Sequence, residues 1–389
     1  MPHAAADRRD RRRPRRAGAP GGRRPAVRQV HDGLVRARVH RGRGAGGRTS
    51  ARRGRPRAAA AFPRAPAPVL RPRARPVRRP GGGPVTGSER ARRAVRLAVT
   101  AGRRLGLRAT EPRVLHDVFN VLVHLAPDPV VARVPSLTID SAEEQAERQR
   151  RELAVVSWLA GRGAPVVPPS PLVPPKPVTC EDTSLTLWQY VDERDPVAAA
   201  PPESLEARLT EQAGWVPGLH QAMAGYPGEL TPLAPVVPAA RRALAELRLR
   251  PGPLTPSDLD RMEHECAVAE AVAADLPGAF PGARVQAVHG DAPHYNVLRI
   301  ERGYLFSDFE DVTLAPVEWD LAGAGPQAIE TYVRAGGRRP DPALLDFMEG
   351  ARLLQVVAAL AVTPRMPELA RMLEPMLPQW RARPPLAAP

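Results

Sequence analysis

Val288-His289-Gly290-Asp291-Ala292-Pro293-His294-Tyr295-Asn296-Val297-Leu298 is the stretch on which the fold of this chain turns. An apolar residue leads into His-Gly-Asp, Asn296 follows Asp291 by five positions, and apolar residues then resume. Two more stretches follow it: Leu305-Phe306-Ser307-Asp308-Phe309-Glu310-Asp311 and Val317-Glu318-Trp319-Asp320-Leu321-Ala322. Short apolar runs broken by polar turns predict short strands joined by loops. A loop between two such strands presents Asp and Asn on one wall, and an Asp ending the next strand closes the other. Phosphoryl transfer from a nucleotide needs that set. A carboxylate orients the attacking hydroxyl and accepts its proton, and hard oxygen ligands, one carboxylate and one amide, hold a divalent metal. Asp291, Asn296 and Asp308 have that chemistry in that order.

Upstream, Glu89 to Gly106 has helical spacing in Ala94, Val95, Leu97, Ala98 and Ala101. Val114–Phe119, Val121–Ala126 and Val130–Val134 read as three strands, the last two joined by a Pro127-Asp128-Pro129 turn. Ser141 with Glu144 three residues on is a capping box that opens a helix running to about Ala160. A Pro-rich connection follows over 164–178, then an apolar strand, Leu185–Val191. Helices are expected across 203–224 and 256–276, the first kinked or split at Pro217-Gly218. Strand-and-loop patterning returns over 277–321, and helical patterning over 326–380. The order predicts an α+β protein with a small sheet-bearing lobe followed by a larger, mostly helical lobe.

The three motif segments lie within 34 residues. In order and spacing they resemble the aminoglycoside phosphotransferase and choline kinase-like family, whose fold is the bilobal protein-kinase-like fold. That family's catalytic loop reads His-Gly-Asp, four variable residues, then Asn. Its metal loop reads Asp-Phe-Glu and leads to Trp-Asp-Leu-Ala. The resemblance implies Asp291 as catalytic base, Asn296 and Asp308 as Mg²⁺ ligands, and His289 and Asp320 as structural supports of the site. It extends more weakly over residues 105–325. Asn120-Val121-Leu122-Val123 and Pro129–Val134 sit where the family places its phosphate-covering hairpin and third strand. The phosphate-binding cation there is Arg133 rather than the lysine of most kinases, and Glu152 is the helix carboxylate that would pair with it. Leu187-Trp188-Gln189-Tyr190-Val191 resembles the hinge that receives adenine, which implies nucleotide contacts from Gln189, Tyr190 and Val191. The hairpin departs from kinases that carry several glycines, reading Leu115-His116-Asp117-Val118-Phe119.

Arg133 can also be argued without the resemblance. It stands in an apolar strand, and a buried charge needs a partner. Glu310, Asp311 and Glu318 read equally as lining for a cationic acceptor and as ordinary surface charge. His220 and His294 read as structural, and Cys180 and Cys266 as inert.

Charge is uneven along the 389 residues. Residues 1–88 hold 25 arginines against three acidic residues, a charge of +22, and residues 89–389 hold 32 basic against 38 acidic residues, a charge of −6. Lys176 is the only lysine. The Arg/Pro/Gly-rich tail lacks hydrophobic periodicity and is expected to be disordered. It reads as a stretch translated from a mis-assigned start in GC-rich coding DNA, in preference to a nucleic-acid-binding arm. The expected organisation is a 1–88 tail, an 89–188 nucleotide-binding lobe and a 189–389 catalytic and substrate-binding lobe. The two cysteines exclude a disulfide framework, and no apolar run approaches a membrane span. A cytoplasmic setting fits. The overall expectation is an ATP- and Mg²⁺-dependent phosphotransferase acting on a small-molecule hydroxyl, such as that of an amino sugar. A non-catalytic nucleotide-binding protein of the same fold and a nucleic-acid-associated protein acting through the tail stand as alternatives.

Overall fold

A computed structural model describes residues 88–196 and 201–388. The tail before Ser88, with the expectation that it is disordered, lies outside those residues. Ser88 opens α1 (Glu89–Arg104), its hydroxyl accepting the Ala91 N–H. Ala94, Leu97, Ala98 and Ala101 form the buried stripe of this helix. Strands β1 (Glu111–Asp117), β2 (Asn120–Ala126) and β3 (Val130–Pro135) follow as an antiparallel meander. The expected turn joins the last two, and its Asp128 is anchored by both the backbone and the guanidinium of Arg108. Helix α2 (Ala142–Gly161) begins with the Ser141/Glu144 capping box. Strands β4 (Val178–Cys180) and β5 (Thr183–Gln189) complete a sheet of order β1-β2-β3-β5-β4.

The central position of β3 explains its apolar sequence, because both faces are covered. Val130, Ala132 and Val134 pack with α1, and Val131 packs with Leu153, Val155, Val156 and Leu159 of α2. Strand alternation therefore puts Arg133 on the α2 side. There it meets Glu152, which is buried in line with Val156 and Leu159.

The larger lobe holds α3 (Pro202–Ala213), α4 (Val216–Met223), α5 (Val237–Leu249), α6 (Pro256–Ala274) and the short α7 (Leu276–Ala279). Two ribbons come next. β6 (Gln286–Val288) pairs with β9 (Thr313–Ala315), and β7 (Val297–Ile300) pairs with β8 (Gly303–Phe306). Helices α8 (Glu318–Leu321), α9 (Gly325–Arg334), α10 (Pro342–Ala358), α11 (Pro367–Leu373) and α12 (Leu377–Ala382) close the chain. Met262, Trp319, Phe347, Met348 and Trp380 belong to the core that joins α6, α8, α10 and α12. The ribbons leave 289–296 between β6 and β7, and 307–312 between β8 and β9, as the two loops that carry the motif residues.

Two features differ from expectation. The helix over 203–224 breaks at Gly214-Trp215, and Pro217 lies in the first turn of α4, where its missing N–H costs nothing. The sequence reading places no helix between 224 and 256, whereas α5 fills 237–249, with Pro238 in its first turn. Cys180 and Cys266 are buried and unpaired, and burial pushes the Cys266 thiol up to about 11. Among the described residues no helix is long and apolar enough to cross a membrane.

Asp258 joins the start of α6 to α12. It accepts the Thr255 N–H at 2.8 Å and pairs with Arg381 at 2.7 Å, and the Arg381 bond holds its carboxyl down to about 2. A carboxyl depressed in the fold contributes stability above its unfolded pKa and loses that contribution as pH falls through the folded value. Asp258→Asn is therefore expected to cost about 1–2 kcal/mol at pH 7, allowing for solvent screening. Urea unfolding at pH 7 and pH 3 should show the difference from wild type shrinking. An equal penalty at both would refute the charge linkage.

Candidate active site

Asp320 is fully buried in α8 and accepts three hydrogen bonds. The His289 N–H donates at 2.9 Å, the Gly290 N–H at 2.8 Å, and His220 Nε2 lies at 3.0 Å. Burial alone would push its carboxyl up; the His220 hydrogen bond, the electrostatic pull of the His220 and His289 rings, and the Gly290 amide together hold it below the usual range. His220 is fixed in turn by the Tyr332 hydroxyl at 2.9 Å. One carboxylate thus gathers two consecutive amides of the His-Gly-Asp turn. The adjacent Trp319 donates its Nε1–H to the Gly290 carbonyl at 2.7 Å.

Gly290 is required there. Its φ is +93°, and a Cβ would lie 1.8 Å from the Asp311 carbonyl oxygen. The 289–296 loop therefore presses directly against the 307–312 loop. Two more bonds tie them together: His289 Nε2 lies 2.9 Å from the Ser307 carbonyl, and the Ser307 N–H donates to the Asn296 carbonyl at 2.9 Å. His289 and His294 are buried rings whose pKa values burial lowers, His294 to about 4. Burial thus favours the neutral ring in both, in keeping with structural roles.

Asp291 projects from this scaffold with half its side chain exposed. Asn296 donates Nδ2 to the Asp291 carbonyl at 2.7 Å and to its carboxylate at 3.2 Å, so that the amide oxygen Oδ1 is the atom that could serve a metal. Across the cleft, Arg133 Nη1 donates to Asp308 at 2.6 Å, while Nη2 pairs with Glu152. Glu310 lies 3.9 Å from the same guanidinium and accepts from the Asn120 amide at 3.2 Å. The β2 and β3 strands of the small lobe thus grip the metal loop of the large one.

The charges here are compressed. Burial pushes the Asp308 carboxyl well up, and Glu310 adds to this, against the pull of Arg133. Burial and Glu310 likewise raise Asp311. Burial raises Glu152 against the opposing pull of Arg133. Arg148, one turn before Glu152 on α2, pairs with Asp140 at 2.6 Å, and against the opposing effect of burial the negative charges of Glu310, Asp311 and Asp140 raise its pKa. A carboxyl pushed toward its neutral form by carboxylate neighbours is one that a divalent cation would return to the charged form. The donor set, Asp308 with the Asn296 amide oxygen, suits Mg²⁺ shared with phosphates. Among the described residues no three Asp, Glu, His or Cys side chains form a metal cage.

The remaining expected residues fall in different places. Gln189 and Tyr190 lie at the end of β5, but their N–H groups already donate to the Pro168 and Pro129 carbonyls, at 3.0 and 2.9 Å. Val191 follows them. Glu318 is fully buried, held by Arg338 at 3.1 Å and by the Asp341 N–H at 3.1 Å, so it braces the start of α10 rather than lining an open pocket. Lys176 lines a cavity of about 460 Å³ with Arg150 and Leu153 on the outer side of α2.

Three participants escaped the sequence reading. Asn120 carried no assigned role, and Arg148 was not singled out. Arg352 of α10 reaches the Gly290 carbonyl at 3.2 Å and lies 3.6 Å from Asp291. Its one signal was a lone cation in an apolar helix.

The family model described as "Phosphotransferase enzyme family" matches residues 117–360. No curated protein matches the chain. Among solved structures, an amicoumacin kinase in complex with AMP-PNP, Ca²⁺ and Ami aligns at 12% identity and a TM-score of 0.52, over 77% of this chain and 98% of that one. A choline/ethanolamine kinase family protein from Mesorhizobium loti aligns at 17% identity and a TM-score of 0.48, over 75% and 94%. An aminoglycoside-3'-phosphotransferase of type VIII aligns at 21% identity and a TM-score of 0.47, over 70% and 100%. At 12% identity the likeness to the amicoumacin kinase concerns the fold alone, a small sheet lobe and a larger helical lobe of protein-kinase-like type. With more than half of its length matched by the family model, the chain belongs to the phosphotransferase enzyme family.

Proposed function

We propose that the protein transfers the γ-phosphoryl group of Mg·ATP to a hydroxyl of a small molecule. The observation that carries this reading is the Asp320 scaffold, which places Asp291 and Asn296 beside the loop that bears Asp308. Bound Mg²⁺ would neutralise charge on the terminal phosphates, held by Asp308 and the Asn296 amide oxygen. Arg133 supplies the phosphate-binding cation. Its Nε is buried without a hydrogen-bond partner among the described residues, a donor suited to a phosphate oxygen. Val191 offers the hinge N–H to adenine, because those of Gln189 and Tyr190 are engaged within the sheet lobe. The division between a nucleotide lobe ending near residue 188 and a catalytic lobe beginning at 189 is part of the same proposal.

Asp291 is the base. It accepts a hydrogen bond from Asn296 and keeps an exposed edge toward solvent, where an acceptor hydroxyl can reach it. Asp291 holds the hydroxyl for in-line attack and takes its proton as the bond from the acceptor oxygen to the γ-phosphorus forms, the bond from that phosphorus to the β,γ-bridging oxygen breaks and ADP leaves. The acceptor is a small alcohol. Glu310 is partly covered by Asn120 and Arg133, and Glu318 is sealed by Arg338. Fewer carboxylates are free for a cationic acceptor than the sequence suggests.

Asp291→Ala is expected to lower phosphate transfer by about 10²–10⁴-fold while keeping Mg·ATP affinity within a few-fold. Transfer assays with amino sugars and simple alcohols, run beside calorimetry on the full chain, would show it. Full turnover in that variant would sink the mechanism. Asp308→Ala is expected to weaken Mg·ATP binding itself by at least about tenfold, roughly the 1.4 kcal/mol of one lost charged contact. Unchanged affinity would remove Asp308 from the metal site. Wild-type protein that binds Mg·ATP without product on any acceptor would favour a non-catalytic nucleotide-binding role.

A further inference from the structure

Helix α10 sends two polar side chains, Arg352 and Gln355, to the back of the catalytic loop. They stand three residues apart and so share a face. Arg352 is nearly buried, with its guanidinium 4.0 Å over the Trp319 ring. Nη1 donates to the Gly290 carbonyl at 3.2 Å and to Gln355 Oε1 at 2.8 Å, and Nη2 donates to the Trp319 carbonyl at 3.1 Å. Nη1 also lies 3.6 Å from Asp291 Oδ1. Gln355 Nε2 in turn reaches Asp311 Oδ2 at 3.4 Å. The result is a continuous chain: Asp291, Arg352, Gln355, Asp311.

We infer that Arg352 and Gln355 are positioning residues for phosphoryl transfer, holding the Asp291 carboxylate in register with the metal loop. This rests on the proposed function above. Packing alone does not account for Arg352. Burying a guanidinium carries a desolvation cost that an apolar side chain of similar size would avoid. What the charge adds is a second hold on Asp291. The Asn296 amide touches that carboxylate from one side at 3.2 Å, and half the side chain is open to solvent. A carboxylate with one hydrogen bond and an open side turns readily about its terminal torsion. Arg352 approaches the other oxygen, Oδ1, and so limits that rotation. Gln355 extends the restraint to Asp311, whose backbone carbonyl already abuts Gly290. The base and the metal loop therefore share one brace on a rigid helix, the arrangement that in-line attack needs.

The test uses the full-length protein with Mg·ATP and water as acceptor, reading phosphate release, the KM for ATP, nucleotide affinity by calorimetry, and thermal midpoint. Arg352→Gln keeps a donor for the Gly290 carbonyl but loses the charge. It is expected to lower kcat by about 30–100-fold, with KM and nucleotide affinity within threefold of wild type. Arg352→Lys should restore at least about a tenth of wild-type kcat, because a charge returns without the fork. Gln355→Leu, at a half-buried position, should lower kcat by about 5–10-fold and serves if Arg352→Gln fails to fold. Unchanged kcat in Gln355→Leu, or in a folded Arg352→Gln, overturns the inference. So does a parallel loss of kcat, nucleotide affinity and thermal midpoint that lysine does not reverse, which would mark a purely structural arginine. Wild-type protein that neither binds Mg·ATP nor releases phosphate would instead overturn the proposed function, and the role of Arg352 with it.

Discussion

The geometry of the cleft depends on one buried carboxylate. Asp320 carries a charge with no solvent contact, which is tolerable only because three donors converge on it. Two of these are the amides of His289 and Gly290, so the shape of the catalytic loop is fixed by the charge rather than by turn propensity. The third, His220, comes from α4 and is itself held by Tyr332 of α9. Removing one partner of such a buried set commonly costs about 3–5 kcal/mol. The strength of the anchor explains how a loop of Ala, Pro, His and Tyr can hold Asp291 and Asn296 still without a regular element of its own.

A second constraint comes from the small lobe. Alternation along β3 puts Arg133 on the face covered by α2, and the apolar wall there forces it to find anions. It finds Glu152 on α2 and Asp308 on the metal loop. Arginine suits this position for a geometric reason. Its fork serves two carboxylates with separate nitrogens and still leaves Nε, whereas a lysine ammonium is a single point charge. Asn120 repeats the grip one strand away by holding Glu310. The hairpin tip needs no run of glycines to stay closed in this form, because its start is tied to the opposite lobe by a side chain and Ser136 secures it to the Val118 and Phe119 carbonyls.

Much of this was legible in the sequence, for identifiable reasons. The elements of the sheet lobe follow local rules: the Ser141 capping box, the proline turn at 127–129 and the two-residue alternation of the strands. The candidate set of Asp291, Asn296 and Asp308 can be proposed from the sequence because the three sit close together in the chain, where spacing can be read. The contacts that complete the site join residues far apart. Asn120 meets Glu310 across 190 positions, and Arg352 meets the Gly290 carbonyl across 62. No local pattern encodes such pairs. Helix α5 was missed because prolines on either side resemble loop punctuation, although Pro238 is in fact a first-turn residue. Glu318 read equally as pocket lining and as surface charge because its partner, Arg338, lies beyond the next helix.

The carboxylates of the cleft also show how its charge is managed. Asp308, Glu310 and Asp311 crowd one loop, and each would be strained in isolation. Arg133, Arg148 and the Asn120 amide offset them from the small lobe, and Arg352 with Gln355 do so from α10. Under the proposed function, a nucleotide arriving with its cation would bring both signs at once. The cation can take over Asp308 from Arg133 as the phosphates take Arg133, so neither charge need be left unpaired during the exchange. The small lobe would then be released from the metal loop at Asp308 while Asn120 still holds it at Glu310. On that proposal, nucleotide entry would replace one ion pair by another beside the loop that Asp320 anchors.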